Sequence, residues 1–425
     1  MKPGNPSLIS EWLARSQKVP LTVIAEFSDA YEHPPYTCRY EDSATATLAD
    51  SYDLEVCPRH EAVLSLDQLL PHRFRIHDLD VLVRSSDPEW EEGDHSGEPP
   101  LLYHHFFKES LPNLQRLDFH ATHIEQSRYV IPIPELLFAG RLPRLKELKY
   151  LGVNGGLTET VKNLVSCEIG AWSKSAGPAV VTHEELQTFF DNNTTLRSLI
   201  ITDCDFFYDN NTWTPAAALM THLKYLKIHR WDRGFEKMVN FLHVPQFKSL
   251  DTIQVSLSDF TIQTVATDGS GHTFVFSRPI NSREDFHPLR YLEADITTLR
   301  LDRETTLNQL YKGPVLHKFF ETLDTVQVLE FDGAIAVKND PFNVLPILGI
   351  FPGLKVIRVA VHLDDCKGAL QLLATTLKLR MEEGNPLTTV FSRGRGRVGS
   401  GASRGVGETL RSSAHTKFLV QIIRP

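Results

Sequence analysis

The 425-residue chain has little of the chemistry that marks secreted or membrane proteins. No stretch approaches about 18 uncharged apolar residues, and the segment from Met1 to Arg15 has no apolar run of signal-peptide length. Its five cysteines are scattered and form no Cys-x-x-Cys pair: Cys38, Cys57, Cys167, Cys204 and Cys366. Such cysteines are typical of reduced thiols. We therefore expect a cytoplasmic or nuclear protein without a membrane span.

The sequence also lacks the short motifs of the common catalytic sites. It has no Gly-x-x-x-x-Gly-Lys-Ser/Thr phosphate loop, no Gly-x-Ser-x-Gly nucleophile turn and no His-Glu-x-x-His zinc motif. His120 and His123 bring imidazoles close in sequence, but no third ligand completes a metal site. We predict a protein that is not an enzyme and holds no cofactor or metal. An enzyme whose site is dispersed along the chain is the open alternative.

The bulk composition is that of an ordinary folded protein. Hydrophobic residues make up 41% of the chain and charged residues 23%, which is far from the composition of disordered proteins. The net charge of -9 is modest for this length and argues against a global nucleic-acid or membrane-surface role. Local charged patches remain compatible with this total.

What the chain does contain is a repeated phrase: apolar, two residues, apolar, one residue, apolar. The clearest copies begin at Leu114, Leu145, Leu196 and Leu223. Weaker copies begin at Ile76, Leu164, Leu250, Leu289, Val326 and Leu354. Each copy follows a short stretch with helical spacing, so the period is that of one strand, one helix and two turns. A repeat of this kind favours binding over catalysis.

The phrase predicts which side chains face the core, because alternate residues of a strand point to opposite sides. The last two apolar residues of each copy should point inward, and the residue between them outward. The predicted outward residues carry no single dominant charge sign: Asp80, Asp118, Lys149, Glu168, Ile200, Lys227, Gln254, Glu293, Glu330 and Arg358. We predict that stacked parallel strands form a continuous sheet with helices on its other side.

Two sequence features carry a resemblance to a known family. One is the repeated Leu-Pro-x-Leu-x-x-Leu phrase at Leu111 and Leu142, and the other is the segment Leu8 to Ser16 with Pro20-Leu21 after it. In these features the chain resembles a leucine-rich repeat protein, specifically the C-terminal recognition region of the F-box proteins of mushroom-forming fungi. The resemblance covers roughly residues 8 to 390.

The resemblance implies an α/β fold, an irregular leucine-rich-repeat solenoid or horseshoe with a parallel concave sheet and outer helices. It also implies a substrate receptor of a cullin-type ubiquitin ligase, which binds a protein target. The chain departs from the family in two ways. The asparagine or cysteine expected after each strand occurs only at Cys204, and no F-box precedes Leu8. A ubiquitin-ligase adaptor is therefore implied as a partner only where an F-box lies upstream.

Composition divides the chain into four parts. Residues 1–72 are predicted as an N-terminal helix and strand cap with an irregular loop, and residues 73–391 as the solenoid. An acidic loop at 84–100 interrupts the solenoid, either as a mobile loop or as a docking segment for a basic partner.

The end of the chain differs in composition from the rest. Residues 392–416 form a Ser/Gly/Arg-rich flexible segment, and residues 417–425 are predicted as a C-terminal strand. Arg-Gly tracts can bind RNA, so an RNA-associated protein acting through this segment is a second alternative. The tract is short and has no aromatic residue inside it, so nucleic acid is not the partner that we favour.

The candidate binding site is aromatic, because Trp, Tyr and Arg are over-represented among residues that carry binding energy. Segments after two adjacent strands supply Phe207, Tyr208, Trp213 and Trp231, which should lie at one rim of the sheet. Tyr225, Lys227 and His229 should point outward from the strand between them. The alternative is that these rings fill an irregular core where leucines are missing.

Overall fold

The computed structural model describes sixteen parts of the chain. They are residues 6–28, 66–85, 105–123, 131–132, 137–151, 153–154, 161–172, 183–204, 218–229, 241–257, 261–279, 292–301, 320, 323–331, 351–362 and 389–395. The chain divides into a first unit, Met1–His222, and a second unit, Leu223–Pro425. Each unit contains a sheet with short helical segments.

The first unit contains a parallel sheet. Its strands are β1 (Leu21–Ser28), β2 (Ile76–Ser85), β3 (Arg116–His123), β4 (Ile131–Pro132), β5 (Glu147–Leu151), β6 (Val153–Asn154), β7 (Ser166–Trp172) and β8 (Ser198–Cys204). The order is β1-β2-β3-β5-β7-β8 with every pairing parallel, and β4 pairs with β6. The α-helices whose two ends are both described are α1 (Pro6–Ser16), α2 (His105–Lys108) and α3 (His183–Asn192), and residues 66–69 are also α-helical. Two 3-10 helices span Leu70–Arg75 and Leu137–Gly140.

The sheet of the second unit is mostly parallel. Its strands are β9 (Tyr225–His229), β10 (Thr252–Leu257), β11 (Thr261–Thr267), β12 (Thr273–Pro279), β13 (Thr298–Leu301), β14 (Val328–Phe331), β15 (Val356–His362) and β16 (Thr389–Arg395). The order is β9-β12-β11-β10-β13-β14-β15-β16. Among the strands described in this unit, β11 alone runs antiparallel to its neighbours. A 3-10 helix spans Pro245–Ser249.

The α/β class and the mostly parallel sheet are confirmed, but an entirely parallel sheet is not. The hairpin of β11 and β12 lies between β9 and β10, which the repeated phrase alone would place side by side. The turn of this hairpin explains it: Asp268 Oδ1 accepts hydrogen bonds from the backbone N–H groups of Ser270 and His272, at 2.8 and 2.9 Å. Gly271 adopts a positive φ of 84°, which a glycine tolerates without strain.

The apolar residues of the phrase form buried layers that run across the strands. In the first unit Leu79, Leu117, Leu148, Cys167 and Leu199 are aligned in register, and none is more than 4% exposed. A second layer, two residues further on, is also buried and includes two aromatic side chains: Val81, Phe119, Tyr150, Ile169 and Ile201. The inward and outward alternation predicted from the sequence is confirmed for these copies.

A tight turn precedes most of the described strands of this type. In the copy that begins at Leu114, the backbone N–H of Leu114 donates to the carbonyl of Leu111 at 3.2 Å. The same bond, three residues back, recurs in five other copies: Leu145 to Leu142, Leu196 to Asn193, Leu250 to Phe247, Val326 to Leu323 and Leu354 to Phe351. The residue three positions before the phrase is thus buried in all six copies, and it is apolar in all of them except at Asn193. Three of these turns contain a proline, which cannot extend the preceding helix: Pro112, Pro143 and Pro352.

One predicted copy is wrong in its register. The copy placed at Leu289 puts Glu293 between two inward residues, but Glu293 precedes the strand, is exposed and has a φ of 51°. The phrase instead begins at Ile296, and Leu299 and Leu301 are buried on β13. Arg300 therefore occupies the outward position of this copy. Packing against β10 and β14 decides this register, and the spacing of leucines does not reveal it.

The helices in the described residues are short. Helix α3 corresponds to a helix predicted before the Leu196 copy, and its Phe189 and Phe190 are buried. Strand β1 pairs with β2, so the predicted cap joins the sheet that the copies form. None of the helices in the described part of the chain has the length and apolar character needed to cross a bilayer.

Several segments singled out in the sequence lie outside the described residues. They are residues 29–65, 86–100 of the acidic loop, 396–416 and 417–425. Strand β16 includes Ser392 to Arg395, the first four residues of the Ser/Gly/Arg-rich segment.

Candidate functional site

The face of each sheet opposite the buried layers carries the polar side chains, and we call it the polar face. Its middle row holds the residue between the last two apolar residues of each copy. In the first unit this row is in register across six strands: Ile24, Asp80, Asp118, Lys149, Glu168 and Ile200. The four charged members are half-buried, which places them on the face and not in the core.

The polar face of the first unit is acidic. Asp80 and Asp118 lie side by side on neighbouring strands, and Lys149 Nζ is 3.6 Å from Asp118 Oδ2. Burial raises the pKa of Asp80, and the negative charge of Asp118 raises it further. Burial and the positive charge of Lys149 lower the pKa of His120 on the same face, which favours its neutral form. Arg116 and Lys149 offset the charges of Asp80 and Asp118, but three further acids lie on the same face and leave it negative: Asp78, Glu147 and Glu168.

The charge of the strands differs between the two units. The described strands of the first unit contain seven Asp or Glu residues: Glu26, Asp78, Asp80, Asp118, Glu147, Glu168 and Asp203. They contain three Lys or Arg residues: Arg84, Arg116 and Lys149. The described strands of the second unit contain one acid, Glu330, against six bases: Lys227, Arg278, Arg300, Arg358, Arg393 and Arg395. The net charge of -9 conceals this separation.

An Arg-Glu-Arg ladder crosses three strands of the second unit. Arg300 on β13, Glu330 on β14 and Arg358 on β15 are in register. Arg300 Nε donates to Glu330 Oε2 at 2.6 Å, and Arg358 Nη1 donates to Glu330 Oε1. Burial alone would raise the pKa of Glu330, but the hydrogen bonds from Arg358 and Arg300 outweigh it and the pKa falls. Glu330 is therefore ionised and holds both guanidinium groups.

The structure describes three of the seven residues predicted to bind a partner. Tyr225, Lys227 and His229 are half-buried on β9 and alternate with the buried Leu226 and Ile228, so they lie on the polar face. The other four lie outside the described residues: Phe207, Tyr208, Trp213 and Trp231. The rim that these four were predicted to form stays a prediction.

The hairpin turn brings together a serine, an aspartate and a histidine, but not in a catalytic arrangement. Asp268 Oδ2 accepts a hydrogen bond from Ser249 Oγ and lies 2.7 Å from His272 Nδ1. A carboxylate only accepts, so Nδ1 carries the proton. In a hydrolytic triad the histidine lies between serine and aspartate and takes the serine proton. Here the aspartate lies in the middle, and the arrangement serves to fix the turn.

The described residues include no group of three or more His, Cys, Asp or Glu side chains that could hold a metal ion. The buried thiol of Cys167 has a pKa raised mainly by burial, so it is not an activated nucleophile. What the described residues present is a polar surface formed by strand residues at regular spacing.

Sequence reasoning missed Arg300 and the charge separation. Arg300 was hidden by the wrong register of its copy. The charges that produce the difference between the two units are present in the sequence. The difference can be recognised only once the strand bounds show which charged residues lie in the sheets. No family model matches the chain, and neither a curated protein nor a solved structure matches it.

Proposed function

We propose that this chain is a non-enzymatic protein-interaction module, an irregular leucine-rich-repeat solenoid whose polar sheet face binds another protein. The observation that carries the proposal is the register of the copies. The same position of each copy falls in one row on the polar face, from Asp80 to Glu168 in one unit and from Arg300 to Arg358 in the other.

Such a row suits recognition of an extended surface better than the conversion of a small substrate. Parallel strands lie about 4.8 Å apart, so the residues of the row are regularly spaced across the sheet. Each residue of the row has a buried neighbour on either side along its strand, such as Leu117 and Phe119 around Asp118. A rigid sheet holds its side chains in place before binding, and this lowers the entropy cost of association.

The finer proposal is that the module is the substrate-recognition part of an F-box-type ubiquitin-ligase receptor. It depends on an F-box upstream of Met1 and is tested separately, by affinity purification of the product of the full-length transcript. Recovery of the ligase adaptor supports this role. Purification of that product without the adaptor contradicts the ligase role and leaves the interaction module in place.

Site-specific photo-crosslinking tests the interaction module face by face. A benzophenone amino acid is placed on the polar face, at Glu168 in one variant and at Gln254 in another, since both side chains are half-buried there. Matched controls carry it at Asp191, at the end of α3, and at Asp324, in the turn before β14, both exposed.

We expect one protein to crosslink to a polar-face position in a saturable manner and to be absent from both controls. Equal crosslinking from all four positions, or none from the polar face, contradicts the proposal. Far-ultraviolet circular dichroism of each variant shows that the probe has not unfolded the chain.

A further inference from the structure

The Arg-Glu-Arg ladder presents two guanidinium groups outward around one sunken carboxylate. The side chain of Glu330 is 17% exposed, whereas those of Arg300 and Arg358 are 47% and 53% exposed. The ladder thus has a net charge of one positive unit, and the positive groups are the ones in contact with solvent. These ion pairs contribute little to the free energy of unfolding, because water screens ion pairs whose side chains are half-exposed.

Among the described strand residues beside the ladder, none carries a charge that neutralises it. Gln254 is in register with Arg300 in the middle row, and the positions two residues earlier are half-buried and uncharged: Thr252, Thr298, Val328 and Val356. Glu330 is the one acidic residue in the described strands of this unit. The polar face across β13 to β15 therefore attracts negative charge.

We propose that this part of the polar face binds an acidic segment of a partner protein, with Arg300 and Arg358 as anchors. The inference rests on the proposed function and names its partner class. Guanidinium groups bind carboxylates through paired hydrogen bonds, and a guanidinium offers five N–H donors. Both guanidinium groups converge on the carboxylate of Glu330, so they suit two neighbouring carboxylates of a partner. Glu330 is a positioning residue, since it fixes both side chains before the partner arrives.

The short row of charges favours an acidic protein segment over a nucleic acid. A nucleic acid carries evenly spaced phosphates and is bound by a run of cations along its backbone. In the row from β10 to β15, Gln254 and Glu330 interrupt the cations Arg300 and Arg358, so the described row offers no such run.

Fluorescence anisotropy with a labelled oligo-glutamate peptide and the full chain tests the inference. We expect Arg300→Gln and Arg358→Gln each to weaken binding about tenfold, the usual effect of losing one charge-assisted hydrogen bond. Glu330→Gln should keep or increase the affinity, because it removes the negative charge between the anchors. The matched controls Arg144→Gln and Arg197→Gln remove exposed arginines of the first unit and should change the affinity by less than about twofold.

Other outcomes overturn the inference in distinct ways. Equal weakening by the control pair would show that binding follows net charge alone. Lowered thermal stability of the arginine variants with unchanged peptide affinity would show that the ladder is only structural. Binding of oligo-uridine that is tighter than that of oligo-glutamate, and lost with Arg300→Gln, would assign the surface to RNA. If the arginine variants keep their peptide affinity while the polar face still crosslinks to a partner, this inference is wrong and the proposed function stands. If the polar face crosslinks to no partner, the proposed function is wrong.

Discussion

The side-chain Oδ1 of Asn193 accepts a hydrogen bond from the backbone N–H of Leu164 at 3.0 Å, and this bond joins two copies of the repeat. Most copies close the turn before their strand with a backbone bond three residues back. In the Leu164 copy Asn163 adopts a positive φ of 60°. The side chain of Asn193 also donates to Val161 O at 2.9 Å and to Phe189 O at 2.7 Å. The buried side-chain amide of Asn193 thus replaces the backbone hydrogen bond that closes this turn in most other copies.

Asn193→Ala should therefore cost far more stability than its small change in volume suggests. It leaves the N–H of Leu164 and the carbonyls of Val161 and Phe189 without their side-chain partner in a fully buried place. Each such group costs about 1 to 3 kcal/mol, so we expect a loss of about 3 kcal/mol or more in the free energy of unfolding. Urea denaturation measures it. Asn192→Ala, at a half-buried neighbouring position, is the matched control, and an equal loss there would contradict this account.

Gly170 marks a close approach of two strands. A Cβ at this position would lie 2.3 Å from the backbone oxygen of Thr202 and 2.7 Å from its Cβ. Gly170→Ala should destabilise the first unit by about 1 to 3 kcal/mol, because β7 and β8 must move apart. Thermal unfolding checks this, with Gly269→Ala as control, since that position has nothing within 4 Å. Truncation of Thr202 to Ala should not rescue the variant, because the nearest atom belongs to the backbone.

Thr264 is a polar residue in the core of the second unit. It is 1% exposed between Val255 and Phe276, and its hydroxyl has no hydrogen-bond partner in the described part of the chain. Thr264→Val keeps the shape and removes the buried hydroxyl, so we expect a gain of about 1 kcal/mol in unfolding free energy. The control Thr267→Val, on the same strand at a half-buried position, should change it by about zero. A loss of stability in Thr264→Val would show that the hydroxyl is bonded.

The regular copies could be predicted from the sequence, because their leucines fix one register. Leu114, Leu117 and Phe119 are buried as the phrase predicts. The copy at Ile296 could not be recognised, since Leu289 and Leu292 offer the same spacing seven residues earlier and only packing against β10 decides between them.

The β11–β12 hairpin did have a signal in the sequence. Alternating apolar and polar residues flank an Asp-Gly-Ser-Gly turn that begins at Asp268. The hairpin was not predicted, because the repeated phrase led us to expect parallel strands throughout. Of the predicted site residues, Lys227 lies on the polar face as its strand position predicts, while Arg300 and its ladder follow from a register that the sequence does not define.

Asp268 makes the stability of the hairpin depend on pH. Its side chain is 3% exposed, and burial alone would raise its pKa. Hydrogen bonds from Ser249, His272 and the backbone N–H groups outweigh burial and hold the pKa well below its ordinary value of 3.8. Because the folded pKa is the lower one, the stabilisation is fully present above about pH 4 and is lost as the pH falls below that value.

Asp268→Asn should lower the unfolding free energy at pH 7 by about 2 kcal/mol, because the amide NH2 would face groups that donate hydrogen bonds to the carboxylate in the wild type. It should also flatten the fall in stability of the wild type between about pH 4 and pH 2. Urea denaturation across this range measures both effects. Asp295→Asn, at an exposed position of the same unit, is the matched control and should preserve the wild-type profile. A variant at Asp268 with the wild-type acid profile would show that this carboxylate does not control the hairpin.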